Sequence, residues 1–294
     1  MVKQRTLGGT IFDIFNYTFL IFLAIITLYP LVYVAFSSVS DPIALMRFRG
    51  ILLYPRGFTL DSYEMVLQNP LIISGYINTI IIVLGGTTLN LLITSFAAYG
   101  LSRKRLMLKN FFVFMITFTM FFSGGLIPSY LLIRNTLGLK DNILALILPV
   151  AMSAFNMIIM RTSFLSLPDS MEESAKLDGA NDFIILFMII LPLSLPVVVV
   201  MILYYGVGHW NSWFSAMLYI DTRAKYPLQL VLREILIANS TAEMTTGVSM
   251  EEKAFVGETI KYSTIMVATL PILCVYPFLQ RYFVKGVMIG AIKE

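Results

Sequence analysis

Six long apolar runs alternate with polar segments along the chain, at approximately 15–36, 73–101, 110–133, 143–164, 184–220 and 262–280. A helix needs about 20 residues to cross roughly 30 Å of hydrocarbon, so each run predicts a membrane-spanning helix. The fifth is too long for one straight crossing, which puts part of it in an interface or in the loop before it. Prolines fall inside most runs: Pro30, Pro128, Pro149, Pro192, Pro196, Pro271 and Pro277. Each removes a backbone donor and can bend its helix, a defect that neighbouring helices repair in a bilayer. The pairs Gly85-Gly86 and Gly124-Gly125 predict close helix approach or local bending. The expected fold is all-α, a single transmembrane domain over residues 1–294.

Composition strengthens that reading. Of 294 residues 58% are hydrophobic and 13% charged, with mean hydropathy +0.82. Soluble domains carry about 25% charged residues, so lipid must solvate much of this chain. The first run follows Lys3 and Arg5 but lacks a small-x-small cleavage site, and reads as a retained anchor. The net charge of +4 sits in short clusters beside the apolar runs, where anionic headgroups would meet it. It forms no basic stripe for nucleic acid. The segment after the second run holds Arg103, Lys104, Arg105 and Lys109, the densest cluster; with Lys3, Arg5, Arg281 and Lys285 it predicts both termini inside. The segments 37–72 and 221–261 are then outside.

Little in the chain suggests chemistry of its own. Asp, Glu, Lys and Arg are all but absent from the apolar runs, whereas ion-coupled carriers place ionisable groups at membrane depth. No acid–base pair, activated nucleophile or metal-ligand set is apparent, so no catalytic and no metal-binding residue is expected. Cys274 and His209 are the only residues of their kinds, which excludes an intramolecular disulfide and a Cys/His metal cluster. Cys274 reads as a small buried hydrophobe. His209, beside Trp210 and Trp213, reads as part of an interfacial aromatic belt. A G-x-x-x-x-G-K-[ST] phosphate cradle is missing too, so vectorial work would draw on a separate ATPase.

The informative segment is 166–188, between the fourth and fifth runs, with Asp169, Glu172, Glu173, Asp178 and Asp182. Carboxylates there gain nothing from anionic lipid and suit a protein partner. The pattern predicts a helix–turn–helix. Pro168 suits a first turn, Ser170-x-x-Glu173 has capping-box spacing, and Asp178-Gly179 breaks the helix. A second amphipathic segment runs from Ala180 through Phe183 and Phe187 to Leu191-Pro192.

Glu173-Ser174-Ala175-x-x-x-Gly179, nine residues, then Ile189-x-Leu191-Pro192 resembles the EAA-x3-G-x9-I-x-LP signature of bacterial ABC importer permeases. Ser174 for the first alanine is the only departure, and Asp178-Gly179-Ala180 matches the variant common among sugar importers. The resemblance extends to Phe122–Tyr130, Trp210–Trp213 and Gln280–Gly290, and so over nearly the whole chain. It is similar to the six-span permease of the maltose importer, and within that class to the lipoprotein-cluster and alginate-importer types.

The resemblance implies a type I importer permease with six transmembrane helices and a cytoplasmic coupling helix in the bacterial cytoplasmic membrane. Glu173, Ser174, Ala175, Asp178, Gly179, Ala180 and Pro192 would meet the ATPase, with Glu173 on one of its basic residues. The plainer reading of Glu173 is that it caps its own helix. The implied partners are a second, homologous permease, two ATP-binding subunits, an extracytoplasmic solute-binding protein, membrane lipid and an oligosaccharide. ATP and Mg would be held by the ATPases, with no cofactor in this chain. The segment 221–261 would meet the binding protein, with 238–252 as an inserted finger bearing Asn239, Thr241, Glu243 and Gly247. The alternative for that finger is a plain connection. The tail Lys285–Glu294 would reach the ATPase interface or serve as a basic anchor. Tyr130, Asn156, Tyr204, Tyr205 and Asn211 are candidates for a substrate path, because sugar sites set a few polar groups among aromatic walls. Two other readings stay open: import of a peptide, amino acid or other solute, and a scaffold or sensor without transport.

Overall fold

The apolar runs fold largely as helix; breaks fall at 119–125, 151–153 and 194, whereas Pro30, Pro271 and Pro277 lie inside unbroken helices. The computed structural model describes residues 7–104, 106–237 and 250–291. The chain begins with α1 (Leu7–Ser38), α2 (Pro42–Arg47), α3 (Asp61–Gln68) and α4 (Pro70–Ser102). Then come α5 (Lys109–Phe118), α6 (Leu126–Leu131), α7 (Ala154–Leu165) and α8 (Asp169–Leu177). After them run α9 (Leu195–Trp210), α10 (Trp213–Tyr219), α11 (Leu228–Ile237) and α12 (Met250–Ala291). The one extended pairing among the described residues is an isolated bridge between Ser40 and Phe58.

Three helices are long and apolar enough to cross a membrane unaided: α1, α4 and Val256–Val275 within α12. The fourth run is a bent pair, two 3-10 turns over Ile143–Val150 set 49° from α7. In the fifth, Asp182–Leu193 meets α9 at 88°, which resolves the excess length of 184–220. The third run is broken at 119–125, where Gly125 takes φ +88° ahead of α6. Arg161 is the one charged residue within the runs; its Nε donates to the Leu101 carbonyl at 2.8 Å, capping the end of α4.

Two compact units emerge from the contact pattern: residues 1–69 with 234–269, and residues 70–233 with 270–294. In the first, Ser263 Oγ donates to the Ser38 carbonyl at 3.0 Å, and the rings of Tyr33 and Tyr262 meet edge-on at 5.9 Å. The segment 37–68 is ordered by Ser38–Tyr63 and by Arg56, whose guanidinium lies 3.9 Å from the Phe48 ring and 4.2 Å from Tyr54. Most of α1 stays exposed on this chain.

In the second unit α4 packs against α7 and α9. Ala98, Tyr99 and Leu101 meet Met157, Met160, Phe164, Ile185, Met201 and Tyr205 in one buried cluster. Lipid is as apolar as these side chains, so packing and interhelical hydrogen bonds hold the cluster rather than escape from water. α4 supplies the polar part on one face: Asn90, Thr94 and Ser95 are all buried. Thr94 Oγ1 and Tyr205 Oη share a 2.7 Å hydrogen bond, and Asn90 Nδ2 donates to the Val150 carbonyl. Each such bond is worth about 0.6–2 kcal/mol in a membrane.

Two single-residue expectations change. His209 is buried, not part of an aromatic belt: its Nε2 lies 2.6 Å from Asn90 Oδ1. Since the Asn90 amide nitrogen already donates to Val150, the oxygen must accept, and His209 carries its proton on Nε2. Cys274 is exposed on the isolated chain rather than buried.

Candidate functional site

The acidic hairpin forms as predicted, but its caps differ. α8 starts at Asp169 with Pro168 as its N-cap (φ −61°, ψ 132°), so Ser170 falls inside the first turn and no capping box closes. The C-terminal end is a complete Schellman turn. Gly179 N–H donates to the Lys176 carbonyl at 3.1 Å and Ala180 N–H to the Ala175 carbonyl at 2.9 Å. Gly179 holds φ +84°, and no atom lies within 4 Å of where its Cβ would be. Conformation, not crowding within this chain, selects the glycine. Ala175 is buried and Ala180 partly so, the apolar contact that accompanies such a turn. Ala175, Gly179 and Ala180 of the motif are therefore explained by the turn itself.

Beyond the turn Asn181 Oδ1 accepts from Ile184 N–H at 2.9 Å and starts the next helix. That helix widens over Ile185–Ile190, where Leu191 N–H reaches back five residues to the Leu186 carbonyl. The wide turn lies just ahead of Pro192, whose ring would strike the carbonyl four residues back in a regular α-helix. Phe183 and Phe187 set their rings edge-on against Phe96 of α4, at 6.0 and 5.8 Å.

Three of the five carboxylates are paired within the chain, and of these only Glu172 is largely buried. Glu172 pairs with Arg103 and with Lys176 (2.6 Å), Asp169 pairs with Lys104, and Asp182 lies 3.5 Å from Lys176 and accepts from Tyr99 Oη at 3.3 Å. The Lys104 ammonium bonded to it holds the Asp169 carboxyl below its usual range, and the same contact pushes the Lys104 ammonium up. The densest cation cluster thus neutralises the hairpin of its own chain rather than lipid alone. Glu173 and Asp178 remain exposed and form no ion pair among the described residues. Leu177 is 89% exposed, and Ser170, Met171, Ser174, Ala175, Asp178 and Ile189 line an open hollow of about 430 Å³.

A second cavity of about 600 Å³ collects three of the five substrate-path candidates: Asn156, Tyr204 and Tyr205. Ser153, His209, Ser212 and Ser215 also line it, and no lining residue is charged. Tyr205 Oη is fixed by Thr94 and by Ser153 N–H at 3.1 Å. His209 was not legible as a lining residue, since its partner Asn90 lies 119 positions away. Tyr130 and Asn211 lie elsewhere. Tyr130 stacks on Tyr219 at 5.9 Å and accepts from Arg134, while Asn211 Nδ2 donates to the Val207 carbonyl at 3.0 Å, at the C-terminal end of α9.

Opposite the hairpin along the sequence, Asp141 ties two loops together. In a left-handed conformation (φ 54°) its carboxylate accepts from Lys225 Nζ (2.7 Å), Thr222 N–H (2.9 Å) and Asp221 N–H (3.1 Å). The Lys225 hydrogen bond, backed by Thr222, holds this carboxyl well below the usual range. The segment 221–261 is largely helical where described, through α11 and the start of α12. Asn239, Thr241, Glu243, Gly247 and most of 238–252 lie outside the described residues. In the tail, α12 continues to Ala291 and residues 292–294 lie outside them.

Comparison with known proteins places this architecture. The family described as "Binding-protein-dependent transport system inner membrane component" matches residues 106–289. The chain is 40% identical to the polygalacturonan/rhamnogalacturonan transport system permease protein YtcP of Bacillus subtilis, over 96% of this chain and 98% of that one. It is 41% identical to protein LplC of the same organism, over 99% and 97%. In three dimensions it is similar to a chain in the crystal structure of a bacterial ABC transporter that imports the acidic polysaccharide alginate. The TM-score is 0.86 at 33% identity, covering 95% of this chain and 99% of that one. On the strength of that match the chain belongs to the family of inner membrane components of binding-protein-dependent ABC transport systems, with the type I importer permease fold.

Proposed function

We propose that the chain is the permease subunit of an ATP-driven importer that carries oligosaccharides, working beside a second, homologous permease, two ATP-binding subunits and an extracytoplasmic binding protein. In this reading both termini and the acidic hairpin face the cytoplasm, and the hairpin is the part a nucleotide-binding subunit grips. ATP-driven closure of the two ATPases draws the hairpins together and turns the cavity from inward- to outward-facing.

The observation that carries the reading is the division of the hairpin's side chains. Glu172, Asp169 and Asp182 are satisfied within the chain, whereas Glu173, Asp178 and the exposed Leu177 are left outward. An apolar knob flanked by two carboxylates with no ion pair among the described residues fits an apolar hollow with a basic rim. Rigidity supports it as well. Shifting a two-state equilibrium from 1:99 to 99:1 takes about 5.5 kcal/mol of differential binding, which a Schellman-capped helix tied to the end of α4 by the Arg103–Glu172 pair can transmit and a frayed loop could not. The relatives named for polygalacturonan, rhamnogalacturonan and alginate, with the hydroxyl-, amide- and aromatic-lined cavity, favour a saccharide over a peptide.

The test is uptake of labelled oligosaccharides by cells carrying the assembled transporter. Glu173→Lys and Leu177→Asp are each expected to lower uptake at least tenfold while the permease still inserts. Normal uptake by both variants would remove the docking role. Uptake of peptides in place of saccharides would remove the substrate assignment.

A further inference from the structure

The hairpin is fastened to more than its two neighbouring spans. Arg103 leaves the end of α4 and its guanidinium pairs with Glu172; the two side chains are only 19% and 13% exposed. Arg103 Nε and Nη2 both donate to Ser102 Oγ, at 2.9 and 2.7 Å, and its guanidinium carbon lies 4.7 Å from the Tyr99 ring centre. These contacts fix the planar fork before it meets the carboxylate, so little side-chain freedom is lost in making the pair. Tyr99 closes the circuit through Asp182, on the far side of the turn. Below the charges, Ala175 packs in the same buried cluster as Ala98 and Leu101 of α4.

We propose that Arg103 and Glu172 are positioning residues that clamp the hairpin to α4, so that the two move as one body and force received at the hairpin enters the bundle through α4. This inference rests on the docking role proposed above. It adds a route. α4 is the helix whose Asn90 and Thr94 hold His209 and Tyr205 at the cavity wall. Displacing α4 therefore moves the wall directly, with no intermediate element. Without the clamp, the joints at Gly179 and at the 88° bend between Asp182–Leu193 and α9 would absorb the displacement before it reached the wall.

The experiment uses the complete transporter in proteoliposomes with its binding protein and substrate, and reads substrate moved per ATP hydrolysed. Arg103→Glu and Glu172→Arg alone are each expected to lower that ratio at least tenfold. The double exchange Arg103→Glu/Glu172→Arg should restore it to within about threefold, a rescue that a merely structural loss would not give. A second variant covers the case in which the charge reversals fail to assemble. Arg103→Cys/Glu172→Cys, with the native thiol removed by Cys274→Ser, is bridged by a flexible bismaleimide, and the bridged form should retain coupled transport. Normal ratios in the single reversals, a double exchange no better than either, or a bridged transporter that is arrested would each overturn the clamp. Should Glu173→Lys and Leu177→Asp still abolish uptake in that event, the docking role stands and only the route through α4 falls.

Discussion

At the scale of single residues, two small features place large groups. Gly86 gives His209 its room: a Cβ there would lie 2.4 Å from the ring nitrogen that bonds Asn90. Gly86→Ala should therefore destabilise the detergent-solubilised chain, by about 1–3 kcal/mol for an overpacked site, seen as a lower temperature of thermal inactivation. An unchanged midpoint would mean that the imidazole is free to leave. Asp141 offers a pH test. Its folded carboxyl is held below the ordinary 3.8, so its contribution is complete above that value and is lost as pH falls through the lower one. Asp141→Asn keeps a side chain that tolerates φ > 0 but removes the charge facing Lys225. The variant should be less stable than the parent at neutral and mildly acidic pH, and the gap should close only in strong acid. A gap that closed near pH 6 would point to a different group.

At the scale of elements, the hairpin was the most legible part and the crossings the least. Asp178-Gly179 predicts a break in the helix, and α8 ends at Leu177 with Asp178 as its C-cap, closed by the Schellman turn. The start was misjudged because Ser170-x-x-Glu173 satisfies the capping pattern, while Pro168, without a side-chain acceptor, holds the N-cap position. Hydropathy located the apolar runs but not the bends: the third run breaks at 119–125 ahead of Gly125 and the fifth at Ser194, between Pro192 and Pro196. Ser194, at the sharper break, is buried with its Oγ unpartnered among the described residues. The Arg103–Glu172 pair was out of reach for another reason: 69 positions separate the partners and neither has a local signature. Gly179→Pro tests the turn. Proline fixes φ near −65° where the chain needs +84°, so transport should be abolished while the chain still inserts; Gly179→Ala should cost roughly 1 kcal/mol and leave partial transport. Normal transport by the proline variant would mean that the hairpin's shape is not used.

At the scale of the molecule, the proposed orientation can be tested at one exposed residue. In a Cys274→Ser background Leu177→Cys gives a single thiol on the hairpin's most exposed side chain. Intact cells that make the permease without its ATP-binding subunits should show labelling by a membrane-permeant maleimide and none by an impermeant one; the reverse would put the hairpin on the outer face. Charge alone argued weakly for that arrangement, because the long segments on the other side carry cations as well.

The pairing of Arg103 and Lys104 with Glu172 and Asp169 has a history written into the order of synthesis. The cations leave the ribosome 69 and 65 residues ahead of the carboxylates that will take them. In the proposed orientation both positive charges would be bare while the second and third crossings choose their direction, and would count in full toward retention on the synthesising side. Once the hairpin emerges each cation meets a carboxylate, Arg103 in a largely buried pair and Lys104 in an exposed one. In that reading the same two cations would serve first as a signal for insertion and afterwards as partners of the hairpin.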